Sequence, residues 1–116
     1  MSYNEELAAR VREIVIEKAD PVERKMFGGV AFMVGGHMCV GVIKDDLVVR
    51  LGEDGTDDAL RHPAARPMDF TGKPMKGFLY VGVEGTTKER DLRAWIDKGL
   101  AFVGSLPPKK EKTKRR

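Results

Sequence analysis

The sequence predicts a two-layer α+β fold, in which helices pack on a five-stranded, mostly antiparallel sheet in the order αβββαββα. Two apolar runs separated by Gly35-Gly36 predict a β-hairpin, because the two-residue turns that match strand twist need positive φ, which glycine adopts at little cost. Apolar residues at helical spacing near both ends of the chain predict two helices. The apolar faces of these helices must cover the sheet.

The first predicted helix ends before Asp20-Pro21. Ser2 and Glu5 fit a capping box at its start, in which each side chain accepts a hydrogen bond from the other's backbone N–H. Its apolar stripe consists of Leu7, Val11, Ile14 and Val15. This spacing predicts one buried helix face.

Three antiparallel strands are predicted next. The first covers residues 24–34 and contains Gly28-Gly29, and glycine inside a strand usually marks a bulge or a close approach of another backbone or a ligand. The second covers residues 37–43. The third covers residues 47–51 and follows the polar turn 44–46.

A short helix is predicted over residues 56–61, and Pro63 explains why it ends there. A fourth strand begins at residues 68–70, and the turn 71–74 leads into a fifth strand over residues 78–83. Thr86 and Glu89 form a second capping box, which predicts the start of the last helix. The apolar stripe of that helix consists of Leu92, Trp95, Ile96, Leu100 and Val103, and Gly104 and Pro107 suit its termination.

The segment Met26-Phe27-Gly28-Gly29, preceded by Arg24-Lys25 and followed by the Gly35-Gly36 hairpin, resembles the signature of the TfoX/Sxy N-terminal domain family. The further matches are residues 47–51, Met68-Asp69-Phe70, Lys76-Gly77-Phe78 and the helix with Leu92, Trp95 and Ile96. Together they cover nearly all of residues 1–106. The resemblance implies an α+β domain with no established enzymatic activity of its own. Family members that regulate bacterial competence carry a second, C-terminal domain, for which this chain of 116 residues has no room.

Chain length predicts a single domain over residues 1–106, resembling the N-terminal domain of that family. Cys39 is the only cysteine, so no internal disulfide is expected. The start of the chain lacks the pattern of a signal peptide, and no apolar run approaches the roughly 18 residues that a membrane-spanning helix needs. We therefore expect a cytoplasmic protein without a membrane partner.

The basic charge is concentrated at the C-terminus, where residues 107–116 are predicted to form a disordered basic tail. Its cations are Lys109, Lys110, Lys112, Lys114, Arg115 and Arg116. Without these six cations and Glu111, 15 basic and 17 acidic side chains remain, so the net charge falls from +3 to −2. Weak, non-specific binding of nucleic acid therefore depends on the tail.

No catalytic, cofactor-binding or metal-binding residues are predicted, and we expect the protein not to be an enzyme. His37 and His62 lack further ligands at metal-binding spacing. Cys39 lies two residues after His37 and would share its strand face, but no second pair of ligands completes a site. The adjacent carboxylates Asp45-Asp46 and Asp57-Asp58 are explained by turns or helix capping. The glycine pairs do not match a phosphate-binding loop.

Two functions from different classes follow. The first is a non-enzymatic regulatory or protein-interaction module, which meets an unidentified protein partner through the sheet edge and the segment Met26, Phe27, Gly28 and Gly29. The preceding Arg24 and Lys25 are interpreted either as solvated strand charges or as an anion-binding or partner-binding edge. The second is a small nucleic-acid-associated protein that uses the basic tail. A homodimer through the strand at residues 78–83, or through an exposed helix side, is also expected.

Methionines are frequent in the predicted strands and adapt their shape to irregular partners, so they favour either a packed core or a binding surface. They are Met26, Met33, Met38, Met68 and Met75. Core filling is favoured for most of them, because apolar strand positions usually face the interior.

Overall fold

The computed structural model describes residues 3–26, 28–70 and 73–106, which form one antiparallel sheet of six strands, three α-helices and a 3₁₀ turn. The elements are α1 (Glu5–Lys18), β1 (Val22–Met26), β2 (Gly29–Val34), β3 (His37–Ile43), β4 (Asp46–Arg50), α2 (Gly52–Ala59), β5 (Ala65–Phe70), β6 (Lys73–Val81), the 3₁₀ turn (Val83–Gly85) and α3 (Glu89–Gly104). The predicted α+β class and antiparallel sheet are confirmed. The predicted number of strands and their order αβββαββα are wrong, because one predicted strand folds as two.

The extra strand arises at Gly28-Gly29. β1 and β2 pair antiparallel with Met26 opposite Gly29, so the chain reverses where a bulge inside a single strand was expected. Gly28 has φ +76°, and a Cβ there would meet nothing within 4 Å. A Cβ at Gly29 would overlap the carbonyl oxygen of Val42 on β3 and lie 2.9 Å from Cγ1 of Ile43. The expected close approach of another backbone is therefore confirmed at Gly29, whereas Gly28 supplies the turn.

The second hairpin agrees with its prediction. β2 ends at Val34 and β3 begins at His37, and the two residues between them, Gly35 and Gly36, have φ of 60° and 84°. Two successive positive φ values give a turn whose twist matches that of the flanking strands. This match aligns β2 with β3 antiparallel.

The order of strands across the sheet is β1-β2-β3-β4-β6-β5. β6 lies inside the sheet, since it pairs with both β4 and β5. The predicted dimer contact through residues 78–83 is therefore wrong, because Phe78–Val81 has strand partners on both sides and Val83 begins the 3₁₀ turn. A homodimer through an exposed helix side stays a prediction, and sedimentation that returns only the 12.9 kDa monomer would contradict it.

The starts of α1 and α3 both differ from the predicted capping boxes. Asn4 caps α1, with its Oδ1 accepting a hydrogen bond from the backbone N–H of Leu7 at 3.0 Å, whereas Ser2 lies outside the described residues. The residue that precedes α3 is Lys88. Thr86 is two residues further back and donates its hydroxyl to the carbonyl oxygen of Val83 at 3.3 Å. The 3₁₀ turn thus uses the threonine that the sequence assigned to the helix.

Several element bounds also differ from their predictions. α2 begins at Gly52, four residues before the predicted start, and ends at Ala59. β4 covers Asp46–Arg50, and β5 and β6 are longer than the predicted fourth and fifth strands because they pair with each other over most of their length. Thr71 and Gly72 of the predicted turn lie outside the described residues.

A large hydrophobic core lies between the sheet and the helices. α1 contributes the predicted stripe, and α3 contributes Leu92, Trp95, Ile96 and Val103, which are all buried. Ala59 of α2 packs against the same core. Strand residues that alternate along the chain, such as Leu47 and Val49 of β4, complete it. The helices therefore pack on one face of the sheet.

Cys39 is fully buried within this core, beside Gly99 of α3. Burial raises the pKa of its thiol to about 12, although the positive charge of Arg50 opposes the shift. An exposed thiol ionises near pH 8.5, so we expect the native protein at that pH to react with iodoacetamide far more slowly than the denatured protein. Equal native and denatured rates, measured by mass spectrometry, would contradict the burial.

The same shift gives a pH dependence. The folded thiol keeps its proton to a higher pH than the unfolded thiol, so its contribution to stability is complete below about pH 8.5 and is lost as the pH rises toward 12.

Candidate interaction surface

The second face of the sheet carries its own apolar cluster, to which no residue of a described helix belongs. We call it the helix-free face, and it consists of Ala31, Met33, Met38, Ile43, Val48, Met68, Met75, Phe78 and Tyr80. Strand alternation places these residues there, since Val48 lies between two residues of the helix-covered core and Tyr80 lies between two others. A sheet with apolar side chains on both faces is thus covered by described helices on one face only.

The burial of this cluster is graded. Ala31, Met38, Val48 and Met68 are buried, so the core-filling interpretation is confirmed for Met38 and Met68. Met33 and Met75 are half-buried, as are the other three residues of the cluster. The side chain of Met26 lies outside the described residues. The helix-free face therefore has a closed centre and an accessible apolar rim that includes two flexible thioether side chains.

Glycine helps to close the centre of this face. Gly41 lies opposite Ala31 on β2, and a Cβ there would come within 2.7 Å of the carbonyl oxygen of Val30 and 3.1 Å of the methyl carbon of Met38. The absence of a side chain at Gly41 leaves room for Met38 to lie over the sheet. Met38 consequently packs down instead of projecting outward.

A polar cluster borders the helix-free face at the β4, β5 and β6 strands. Arg66 stacks on the ring of Tyr80 with its guanidinium carbon 5.1 Å from the ring centre, and it donates to Asp46 at 2.8 Å. The hydroxyl of Tyr80 donates to the carbonyl oxygen of Asp69 at 3.3 Å. Partial burial raises the pKa of Tyr80. Asp46, which the sequence assigned to a turn, serves here as an ion-pair partner at the start of β4.

Strand β1 forms the other border. Arg24 lies opposite Ala31 in the register, and residues directly opposite each other share a face, so Arg24 belongs to the helix-free side. Val22 lies opposite Met33 on that same side and is 57% exposed. Lys25 lies opposite Val30 and therefore belongs to the helix-covered side. The predicted partner-binding pair Arg24-Lys25 is thus divided between the two faces of one edge strand.

The remaining predicted site residues have different positions. Gly28 lies in the β1–β2 turn, and Gly29 is buried at the start of β2, where it serves strand packing. Phe27 lies outside the described residues, as do all the tail cations, which are Lys109, Lys110, Lys112, Lys114, Arg115 and Arg116. Of the predicted segment, Arg24 and Lys25 are the residues shown with exposed side chains.

An ion pair holds β1 against α1. The guanidinium of Arg12 donates from Nη2 to Oε1 of Glu23 at 2.9 Å, and its Nε donates to the second carboxylate oxygen. Arg12 also lies over the ring of Phe32, 5.9 Å from its centre. Hydrogen bonding to Arg12 lowers the pKa of Glu23. A bidentate pair of this kind fixes orientation as well as distance, so the edge strand is held in place by a helix side chain.

Sequence reasoning did not detect a cleft of about 530 Å³ between α2 and α3. Trp95 and His62 meet in its wall edge to face, with ring centres 5.3 Å apart, and Asp58, Asp91 and Lys98 lie at its sides. Nδ1 of His62 accepts a hydrogen bond from the backbone N–H of Ala64 at 3.1 Å, so this ring atom has a structural role. Among the described residues, no group of three or more His, Cys, Asp or Glu side chains is placed to hold a metal ion.

A family model described as the TfoX N-terminal domain matches residues 16–103. No curated protein and no solved structure matches the chain. Within the part of the chain that the structure describes, no helix combines the length and the apolar character needed to cross a membrane.

Proposed function

We propose that this chain, which belongs to the TfoX N-terminal domain family, is a non-enzymatic, competence-regulator-like module that binds a protein partner through the helix-free face of its sheet. The observation that carries the proposal is the apolar rim of that face, formed by side chains such as Met33, Met75 and Phe78 that no described helix covers. When a partner removes half-buried apolar side chains from water, the free energy of the system falls, and this stabilises the complex.

The composition of the rim favours a protein as the partner. Methionine side chains are unbranched and rearrange at low cost, so they fit irregular apolar surfaces. Arg24 on one border and the Arg66–Tyr80 stack on the other supply a polar boundary. An apolar patch surrounded by arginine and tyrosine is typical of protein interfaces.

The carboxylates support a role without catalysis. Asp46 pairs with Arg66, and Asp45 accepts a hydrogen bond from the side-chain amide of Asn4 at 3.2 Å. Asp57 and Asp58 lie exposed on α2. General acid–base catalysis requires groups that converge on one substrate. Asp45 and Asp46 serve folding contacts instead, and Asp58 borders the cleft beside Trp95 without Asp57, so neither adjacent pair converges on one site.

Photo-cross-linking in the native cells tests the proposal. Benzoylphenylalanine at position 75 is expected to capture a partner that the same residue at position 16 does not. Ile16 is the matched control, because it is a 58% exposed apolar residue on α1. The captured protein is then purified and titrated against the Met33→Glu/Met75→Glu variant, which is expected to bind at least tenfold more weakly than the Ile16→Glu variant. Equal capture from both positions, or equal affinities of the two variants, would contradict the proposal.

The basic tail supports a second candidate function, non-specific association with nucleic acid. If the tail contacts about five phosphates, log K is expected to fall with log salt at a slope of about −4.5, at roughly 0.9 per contact. A chain ending at Leu106 is expected to lose this binding and to retain its fold. Gel-shift titrations at several salt concentrations measure both quantities. Sequence-specific DNA binding by the shortened chain would favour the nucleic-acid function over the interaction module.

A further inference from the structure

We infer that β1 binds an extended segment of the partner as an added strand, and that this segment carries two adjacent acidic residues flanked by β-branched apolar residues. The inference rests on the proposed function, since it specifies the partner's chemistry. Three features of β1 carry it: a free backbone edge, an ion pair that holds the strand in place, and two exposed cations.

The first feature is the free backbone edge. Among the described strands, β1 pairs with β2 only, so every second residue directs its N–H and C=O groups away from the sheet. Met26 and Gly29 are opposite each other with two residues between them in the chain, which is the position of a hydrogen-bonded pair in a two-residue hairpin. The alternation then directs the N–H and C=O groups of Glu23 and Lys25 outward.

The second feature is that an ion pair holds β1 in place and that only charged side chains protect its edge. The opposite edge strand, β5, contains Pro67 and an irregular register between Pro67 and Asp69, and these devices block the addition of another strand. β1 contains neither proline nor a break in its register with β2. The Arg12–Glu23 ion pair holds it against α1, so little conformational entropy is lost when a partner strand binds.

The third feature is the charge of the edge. Arg24 and Lys25 are exposed, and neither forms an ion pair with a described residue. A partner strand with two successive carboxylates places one opposite each cation, on alternate faces of the sheet. Its next residue on the helix-free side would lie beside Val22, where an apolar β-branched side chain fits. The required segment is therefore acidic at its centre and apolar at its ends.

A second copy of the chain matches the charges of this edge less completely than an acidic strand does. In a two-fold antiparallel pair of β1 strands, the residue on the axis faces its own copy. Glu23, Arg24 and Lys25 occupy the centre of the strand, so each of these registers brings two like charges together on the axis. The register centred on Arg24 also places Glu23 opposite Lys25 of the copy on both sides of the axis, so sedimentation of the chain alone must show a monomer for the acidic partner to be preferred. An acidic partner avoids that repulsion.

The test uses the full chain and two synthetic heptapeptides, acetylated and amidated. One has two central glutamates flanked by valine and threonine, and the other has two lysines in their place. Titration followed by NMR is expected to shift the amides of Glu23 and Lys25 most strongly with the glutamate peptide, and to slow their hydrogen exchange. The lysine peptide is expected to bind at least tenfold more weakly.

Charge reversal and proline substitution then separate the two parts of the inference. Arg24→Glu/Lys25→Glu is expected to exchange the peptide preference, whereas Arg61→Glu/Arg90→Glu makes the same change in net charge at exposed positions outside β1 and is expected to leave it unchanged. Lys25→Pro removes an outward N–H without removing a bond to β2, so it is expected to weaken binding beyond Lys25→Ala. The native Trp95 emission confirms that each variant is folded.

The outcomes distinguish this inference from the proposed function. Peptide binding that leaves Glu23 and Lys25 unprotected, or no peptide binding at millimolar concentration, overturns the added strand. The proposed function as an interaction module is still supported after that result if benzoylphenylalanine at position 75 captures the partner. Loss of partner affinity in the charge-reversed variant, together with a preference for the glutamate peptide, supports both.

Discussion

Truncation of Trp95 to alanine is expected to lower the free energy of unfolding by roughly 3 to 5 kcal/mol, the cost of removing a large aromatic side chain from a core. Trp95 is only 5% exposed and lies on the face of α3 that covers the sheet. Its ring contacts His62 edge to face, and its Nε1 lies 3.6 Å from where a Cβ of Gly85 would be. Neighbouring elements thus enclose the ring except where it borders the cleft between α2 and α3, and its removal leaves a cavity continuous with that cleft.

Guanidinium titration followed by circular dichroism measures this loss, because the variant has no tryptophan fluorescence. Ile16→Ala is the matched control: its side chain is 58% exposed, so its removal is expected to change stability by no more than about 0.5 kcal/mol. In the native protein, Trp95 is expected to emit at a shorter wavelength than free tryptophan. A loss below about 1 kcal/mol, within the range of ordinary substitutions, would show that the ring is not part of the core.

Gly29→Ala is expected to be the more disruptive of two neighbouring glycine substitutions, with a loss of at least about 3 kcal/mol, the upper part of the range for overpacking. The new methyl group would overlap the carbonyl oxygen of Val42, and a backbone carbonyl held in a strand pair cannot rotate away. The β2–β3 pairing must open locally to accommodate the methyl group. The loss of stability therefore comes from the strand pairing itself.

Gly28→Ala provides the comparison. Gly28 has φ +76° with open space around it, so alanine there meets only the conformational penalty of a left-handed backbone, about 1 to 2 kcal/mol. Urea titrations of both variants, monitored by Trp95 fluorescence, give the difference directly. Equal losses in the two variants would contradict the role assigned to the contact between Gly29 and Val42.

The candidate surface was only partly accessible to sequence reasoning. Arg24 and Lys25 were predicted as a pair at a partner-binding edge, and their assignment to that function stays a prediction. Their division between two faces depends on the register of β1 with β2, which the sequence did not reveal because 24–34 was interpreted as one strand. Met33 and Met75 were recognised as candidates for either a core or a surface, but the sequence contains no signal for which face the helices cover.

Features that arise from local periodicity and turn chemistry are predictable from the amino-acid sequence. The apolar stripes of α1 and α3, the burial of Trp95 and the hairpin at Gly35-Gly36 all depend on residues close together in the chain, and the structure agrees with each of them. Three other features follow from long-range contacts: the reversal at Gly28-Gly29, the position of β6 between β4 and β5, and the helix-free face. These features depend on which distant strand lies alongside, and a strand with apolar residues on both faces has the same sequence pattern whichever face a helix covers.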